Sequence, residues 1–260
     1  MHRYAASVEY DGSGFCGWQS QIGVHTVQDA VEQALSKVAA HSLRVVVAGR
    51  TDTAVHATAQ MIHFETNVVR SDNNWLRGVN TYLPDGVCLH WVKSVDSSFH
   101  ARFSARRRSY RYIVCKQRMR PGILRNLVTW DHRCLNIDAM RQAATHLIGK
   151  HNFNAYRAAS CQSKTPVKEI YNLSIGNVDK WCWIDVEANG FLHHMVRNIV
   201  GVLMTIGAGD RSPDWSLEIL RSEDRRRGGV TALPNGLYLT KIQYDDQYEL
   251  PDTPSKPRFW

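Results

Sequence analysis

A turn between two β-like segments carries an arginine and a carboxylate that could take part in catalysis. The apolar run at residues 45–47 predicts a buried strand, and Gly49 ends it. Arg50 and Asp52 follow on the turn, before a second strand predicted at residues 60–64. A turn held by a rigid sheet exposes side chains at fixed positions, which favours catalytic roles. Turns also favour Asp on conformational grounds alone, so a structural role for Asp52 stays open at this point.

Charge and cysteine usage narrow the class of protein. The chain has 260 residues, a formal net charge of +8 and six cysteines spread along its length. This length can bury a core without disulfides. The excess of positive charge favours a polyanionic partner such as nucleic acid. Because the cysteines form no C-x-x-C pair, the sequence indicates reduced thiols rather than a zinc cluster or a redox motif.

The sequence predicts a soluble protein of the cytoplasm with no membrane partner. Residues 1–12 lack the long apolar stretch of a signal peptide. The most apolar helical segment, residues 191–207, contains His193, His194 and Arg197. Placing such polar residues inside a bilayer costs free energy, so the segment is better explained as a buried helix of a folded protein.

Hydrophobic periodicity predicts an α+β fold built from two similar halves. The first half follows the order strand, helix, strand, strand, helix, strand, with an amphipathic helix after Thr26. The second half repeats a similar order. We therefore expect mixed or antiparallel sheets flanked by helices, with an active-site cleft between the halves. The predicted domains are residues 1–105 and 106–250, followed by an irregular tail at residues 251–260.

Residues 102–115 combine basic and aromatic side chains. On a strand, Arg108, Tyr110 and Tyr112 share one face, and Arg107 lies on the other. Aromatic rings stack on bases and guanidinium groups meet phosphates, which suits nucleic acid. A solvated charge run with core tyrosines explains the same residues equally well. If the nucleic-acid interpretation holds, the expected substrate-binding residues of this run are Arg106, Arg107 and Arg108.

A second basic residue lies on the helix predicted from Leu192. This helix places His193, Arg197 and Gly201 in one stripe beside its apolar face. The adjacent His193 and His194 would diverge by about 100° on a helix, so they do not predict a metal site. An arginine at the border of an apolar stripe is partly desolvated and seeks a carboxylate. Arg197 is therefore a candidate partner for an acid.

Several short motifs follow one another along nearly the whole chain. They are Tyr10-Asp11-Gly12, Gly17-Trp18-Gln19, Ala48-Gly49-Arg50-Thr51-Asp52, Val55-His56-Ala57, residues 99–105, residues 108–112, Phe153 with Arg157 and Cys161-Gln162-Ser163, residues 191–201 and Gly236-Leu237-Tyr238-Leu239. In this order they resemble the tRNA pseudouridine synthases of the TruA type. One departure is Thr53-Ala54, where the family usually has Ala-Gly. If that glycine takes a positive φ angle, Ala54 costs roughly 1 kcal/mol of strain or a small shift of the loop.

The resemblance implies an isomerase that converts uridine to pseudouridine in the anticodon stem-loop of tRNA, at positions 38–40. The bond from base N1 to ribose C1′ breaks, the uracil turns while it stays bound, and it rejoins through C5. The resemblance also implies a homodimer that needs no cofactor and no metal.

The resemblance assigns roles to five residues of this chain. Asp52 is the catalytic carboxylate, which attacks C1′ or stabilises an oxocarbenium-like species, and Arg197 forms its ion pair. Tyr110 stacks on the target base and is a candidate proton acceptor at C5. Arg50 helps to hold the flipped-out nucleotide, and Leu237 forms an apolar wall beneath Tyr110.

Two other functions stay open from the sequence. A non-catalytic RNA-binding module with this fold would bind tRNA in a salt-sensitive way and form no pseudouridine. A nucleoside hydrolase would release free uracil. A glycosidase normally uses a second carboxyl group and a water molecule, whereas one acid suffices where the departing base is also the returning nucleophile.

Overall fold

Two compact units make up the chain in the computed structural model, which describes residues 1–252, 254 and 256–260. The first unit contains Met1–Arg106 and Tyr238–Pro257, and the second contains Arg107–Leu237 and Arg258–Trp260. The predicted tail at residues 251–260 falls partly outside the described residues, at positions 253 and 255.

The helices and strands alternate along the chain. The elements up to residue 106 are β1 (His2–Tyr10), α1 (Val27–Ala39), β2 (Val45–Val47), β3 (His56–Thr66), α2 (Asp72–Tyr82) and β4 (Val87–Val95). The later elements are β5 (Arg107–Lys116), β6 (Thr129–Asp131), α3 (Ile137–Thr145), β7 (Gly149–Asn152), β8 (Val167–Val178), β9 (Trp181–Ala188), α4 (Met195–Gly207), α5 (Trp215–Ser222) and β10 (Leu237–Gln243).

The sheet of the first unit is mixed. Its strands follow the order β4-β1-β3-β10, and β2 pairs with β3. β1 is antiparallel to β3 and β4, whereas β10 runs parallel to β3 and places Tyr238 beside His56. The last strand therefore packs with the first unit, although the predicted boundary gives residues 106–250 to the second half. Whether either unit is an independent domain stays a prediction.

Two capped helices accompany this sheet. Thr26 accepts a hydrogen bond from the Asp29 amide, and Ser71 accepts one from the Asn74 amide, so a polar side chain fixes each helix start. α1 packs against α2, and α2 packs against β4. Trp75 of α2 is fully buried in the core of this unit.

The second unit also contains both strands and helices. Its strands follow the order β5-β9-β8-β7 and are antiparallel, with β6 added parallel to β5. The register sets Tyr110 opposite Val186, and Arg111 opposite Asp185. α3 packs against β8 and α4. The α+β prediction is confirmed, since each unit combines largely antiparallel or mixed strands with helices.

One predicted helix starts later than its apolar pattern indicates. The helix expected from Leu192 begins at Met195, because His194 takes a left-handed conformation with φ of +61°. The prediction that His193 shares a helical stripe with Arg197 and Gly201 is therefore wrong, since His193 precedes the helix. Within the described residues, no helix is long and apolar enough to cross a membrane.

Candidate active site

The turn between β2 and β3 presents Asp52 at the edge of the first unit's core. The Ala48 amide donates to the Met61 carbonyl at 2.8 Å, and the Val55 amide donates to the Asp52 carbonyl at 3.1 Å. Asp52 is partly exposed, whereas Thr51 before it is buried. The backbone is therefore fixed on both sides of a carboxylate that solvent can reach.

A buried hydrogen-bond network holds the residues just before Asp52. The hydroxyls of Tyr10 and Thr51 lie 2.8 Å apart. Gln60 Nε2 donates to the Gly49 carbonyl at 2.7 Å and to the Tyr10 hydroxyl at 3.3 Å. Tyr10, Thr51 and Gln60 are all buried, where an unmade hydrogen bond costs about 1–3 kcal/mol. The network therefore restricts where the turn can place its carboxylate.

The glycine-rich loop at residues 11–18 packs directly against the same turn. A Cβ on Gly12 would lie 2.1 Å from the Val55 carbonyl oxygen, and one on Gly17 would lie 2.8 Å from the Thr51 carbonyl oxygen. Gly17 also has φ of +82°, which favours glycine. The Trp18 amide donates to the Thr51 carbonyl at 3.1 Å. These contacts show that the loop supports the residues around Asp52.

His56 ties the end of the turn to the last strand. Its Nδ1 accepts a hydrogen bond from the Gly12 amide at 3.0 Å, and its ring stacks on Tyr238 with centroids 4.7 Å apart. Burial, and then the charge of Asp11, raise the pKa of Tyr238 above its ordinary range, which keeps this phenol neutral. The first residues of β3 and β10 are thereby held together beside the turn.

Ala54 adopts the strained conformation anticipated from the departure at Thr53-Ala54. Its φ is +61°, in the left-handed region where residues with a Cβ are disfavoured by about 1–2 kcal/mol. Its amide donates to the Phe15 carbonyl at 3.4 Å. This chain therefore keeps the turn geometry that a glycine would adopt without cost.

We expect Ala54→Gly to raise the free energy of unfolding by about 1 kcal/mol, because relief of the left-handed strain exceeds the added flexibility of glycine in the unfolded chain. Denaturant unfolding followed by circular dichroism measures this change. Ala40→Gly is the matched control, since Ala40 has φ of +58° at the end of α1. A gain at residue 40 with none at residue 54 would contradict the strain at the turn.

Tyr110 and Arg197 belong to the second unit. Tyr110 is buried on β5, and its ring meets Phe191 edge-on with centroids 5.1 Å apart. Arg197 on α4 donates through Nε to the Ala232 carbonyl at 2.8 Å, and the Ala232 amide donates back to the Arg197 carbonyl at 3.1 Å. Both side chains are therefore oriented by neighbours in their own unit. Leu237, at the start of β10, is also buried.

Gly201 explains how the segment at residues 230–232 reaches Arg197. A Cβ at Gly201 would lie 1.9 Å from the Val230 carbonyl oxygen, so only glycine lets this segment cross α4 so closely. The hydroxyl of Thr231 then donates to Asn198 Oδ1 at 2.7 Å. Gly201 therefore allows close packing that holds the Ala232 carbonyl where Arg197 can donate to it.

The three arginines expected to bind substrate all have acceptors in the protein. Arg106 pairs with Asp245 at 2.7 Å and Arg107 with Glu187 at 2.9 Å, and these hydrogen bonds raise the pKa of both guanidinium groups. Arg108 donates to the Asn189 carbonyl at 3.1 Å. Their role in substrate binding stays a prediction.

The predicted site residues divide between the two units. Arg50 and Asp52 share the turn of the first unit, with Arg50 exposed. Tyr110, Arg197 and Leu237 belong to the second unit. The pairing of Asp52 with Arg197, and the approach of Tyr110 to the same nucleotide, stay predictions.

Comparisons with known proteins show the family of this chain. A family model described as tRNA pseudouridine synthase matches residues 6–104 and 143–245 of this chain, which include Asp52 and Arg197. The tRNA pseudouridine synthase A of Coxiella burnetii is 48% identical over 259 residues, covering 100% of this chain and 99% of its own. The protein of the same name from Thiobacillus denitrificans is 49% identical over 253 residues, covering 97% of each chain. The solved structure of a Cbf5-Nop10-Gar1 complex is similar with a TM-score of 0.41 and 8% identity, over 91% of this chain and 48% of that chain.

The family model and the relatives define an enzyme class that modifies RNA by isomerisation. The chain belongs to the tRNA pseudouridine synthase family. Enzymes of this family convert uridine to pseudouridine in tRNA. Tyr110 and the arginines at residues 106–108 lie between the two matched ranges, so their roles rest on the motif order alone.

Proposed function

We propose that this chain converts uridine to pseudouridine in the anticodon stem-loop of tRNA, at positions 38–40, with Asp52 as its catalytic carboxylate. This proposal rests on one observation: the protein holds the turn around Asp52 rigidly in place. Two glycines in close approach and a buried Tyr10-Thr51-Gln60 network fix that turn, while Asp52 itself is partly exposed. A group held in this way loses little freedom when substrate binds, which favours catalysis.

The reaction needs one bond to break and another to form at the same ribose carbon. The bond between N1 and C1′ breaks and its electron pair leaves with the uracil. The Asp52 carboxylate either bonds to C1′ or stabilises the positive charge that develops there. The uracil turns, C5 bonds to C1′, and the carboxylate is released if it was bonded. Loss of the C5 proton restores the aromatic ring, and a proton at N1 completes the product.

A single carboxylate is enough because the leaving group is also the nucleophile of the second step. A glycosidase must protonate a departing group and activate water, which requires a second carboxyl group. Here water would compete with the uracil for C1′. We therefore expect the enzyme to keep the uracil bound and exclude water until C5 has reacted.

The remaining predicted residues act around this step. Tyr110 stacks on the uracil and, once its hydroxyl is deprotonated, accepts the proton from C5, and Leu237 serves as an apolar wall for Tyr110. Arg50 helps to hold the flipped-out nucleotide, whose extraction costs a few kcal/mol. Arg197 keeps Asp52 ionised, since a cation beside a carboxylate favours its charged form. Its hydrogen bonds to Ala232 support this role, because they orient the guanidinium group within its own unit.

We expect Arg197→Met to slow isomerisation and to move the acid limb of the pH–rate profile to higher pH, because the carboxylate keeps its proton longer without the cation. Arg197→Lys loses the planar guanidinium group but retains the positive charge. Because the charge is what keeps the carboxylate ionised, the acid limb of this variant should stay close to that of the native protein. Single-turnover rates measured across pH compare the three proteins. An acid limb that does not move in Arg197→Met would argue against the pairing with Asp52.

The family resemblance also supports a homodimer in the cytoplasm. The six cysteines are free in the described structure, which suits a reducing compartment.

Light scattering of the purified protein measures its mass in solution. A mass near that of one 29.6 kDa chain at micromolar concentration would contradict the dimer.

Mapping pseudouridines in tRNA from cells with and without this protein tests the proposed substrate. We expect the modification to disappear at positions 38–40 and to persist elsewhere. Binding of tRNA with no change in the pseudouridine map would favour a non-catalytic RNA-binding module. The strained Ala54, beside the turn that carries Asp52, is the structural observation that keeps this alternative open. Loss at other positions would retain the isomerase but overturn the assignment to the anticodon stem-loop.

A further inference from the structure

Three side chains with metal-binding chemistry meet on two neighbouring strands of the first unit. Glu9 of β1 lies directly opposite Cys88 of β4, and His90 follows Cys88 by two residues. The carboxylate oxygen, thiol sulfur and ring nitrogen all lie within 4.8 Å of one another. Glu9 Oε2 and His90 Nε2 are 2.7 Å apart. Residues far apart in the sequence thus converge at one point.

An irregularity in the strand pairing brings the histidine to this point. The register pairs Ser7 with Trp91 but Val8 with Leu89, so His90 is an extra residue in β4. A bulge of this kind bends the strand and redirects the side chain of the extra residue. His90 can therefore join Cys88 and Glu9.

We propose that Glu9, Cys88 and His90 form a zinc-binding site. Zn²⁺ binds cysteine sulfur at about 2.3 Å, histidine nitrogen at about 2.0–2.1 Å and carboxylate oxygen at about 2.0–2.2 Å. Ligand atoms around a tetrahedral ion are then roughly 3–4 Å apart, so small side-chain rotations would complete the site. Three protein ligands leave a fourth position for water. The thiol and the imidazole select zinc over magnesium or calcium, which prefer oxygen ligands.

The cluster lies at an accessible edge of the first unit. β4 is the edge strand of this sheet, and His90 and Glu9 are both partly exposed, so an ion can enter from solvent. Bound zinc would link this edge strand to β1.

Titration of the full-length protein with zinc chloride, after treatment with a chelator and reductant, tests the site. We expect one ion to bind per chain, with an affinity at least about tenfold lower in Cys88→Ser and His90→Gln, because loss of even an outer-shell partner of a ligand costs about 10–100-fold. Cys134→Ser is the matched control, because Cys134 is exposed and lies outside the cluster. Its affinity should equal that of the native protein.

Cobalt(II) in place of zinc identifies the ligand directly. The sulfur-to-cobalt charge-transfer band should appear in the native protein and in Cys134→Ser, and disappear in Cys88→Ser. Native affinity in Cys88→Ser, a band lost only in Cys134→Ser, or no ion bound to the native protein would each overturn the proposal. These readouts do not depend on pseudouridine formation, so they stand apart from the proposed function.

Discussion

Asp52→Asn is expected to abolish pseudouridine formation while tRNA binding persists. The side-chain amide has nearly the same shape as the carboxylate, so the turn held by Gly12 and Gly17 should keep its conformation. It carries no negative charge to bond to C1′ or to stabilise a cation there. Removal of a catalytic nucleophile costs on the order of 10⁴ to 10⁶ in rate, and we expect a loss in that range. Counting pseudouridine in digested tRNA after single-turnover reactions measures it.

The control for this variant is Asp138→Asn, since the proposed mechanism does not use the Asp138 carboxylate. Asp138 has a side chain that is 90% exposed, and among the described residues its ion pair is with Arg141, one helical turn away. Asp138→Asn should retain native turnover and native tRNA affinity. Affinities must be compared at one salt concentration, because phosphate contacts make them strongly salt-dependent. Native turnover in Asp52→Asn would exclude this residue as the essential carboxylate.

Tyr110→Phe should bind tRNA with nearly native affinity but react about 10²- to 10⁴-fold more slowly, the range of general acid–base contributions. Phenylalanine keeps the ring that stacks on the base and its edge-on contact with Phe191. It loses the oxygen that would accept the C5 proton. Single-turnover rates and binding constants measured on the same tRNA separate these two effects.

An isotope at C5 sharpens the test of Tyr110. If the phenol oxygen accepts this proton, its removal becomes rate-limiting in Tyr110→Phe, and deuterium at C5 should slow the variant more than the native enzyme. Tyr171→Phe is the matched control, since Tyr171 is an exposed tyrosine on β8. A native rate in Tyr110→Phe would leave stacking as the residue's only role.

Local patterns were enough to predict the strands on either side of the turn that carries Asp52. The apolar run of β2 and the periodicity of α1 are visible in short windows. α1 buries one regular face, so its own sequence determines it, whereas β2 buries Val45 and leaves Val46 exposed. The start of α4 was missed because one left-handed residue, His194, interrupts an otherwise helical pattern.

The support of the turn depends on contacts that no short window contains. Gly12 meets Val55, Gly17 meets Thr51, and Gln60 reaches back to Gly49. The sequence shows three glycines within seven residues, but the residues that these glycines contact lie about 40 residues further along the chain. A search for phosphate-binding motifs could not have found them, since this loop contacts the protein's own backbone.

The cluster of Glu9, Cys88 and His90 was hidden from sequence inspection for the same reason. Spacing rules look for ligands close together in the sequence, and the chain has no C-x-x-C pair. Cys88 and His90 are two residues apart, but their third partner, Glu9, comes from the neighbouring strand. Only the pairing of β1 with β4 brings the three ligand types together.

Release of tritium from tRNA that carries 5-tritiated uridine tests whether the chain isomerises uridine through Asp52, because only rejoining through C5 removes that atom. We predict release by the native protein in step with pseudouridine formation, and none above background by Asp52→Asn under conditions where both proteins bind the tRNA. Comparable release by Asp52→Asn, or tRNA binding without release by the native protein, would contradict this prediction.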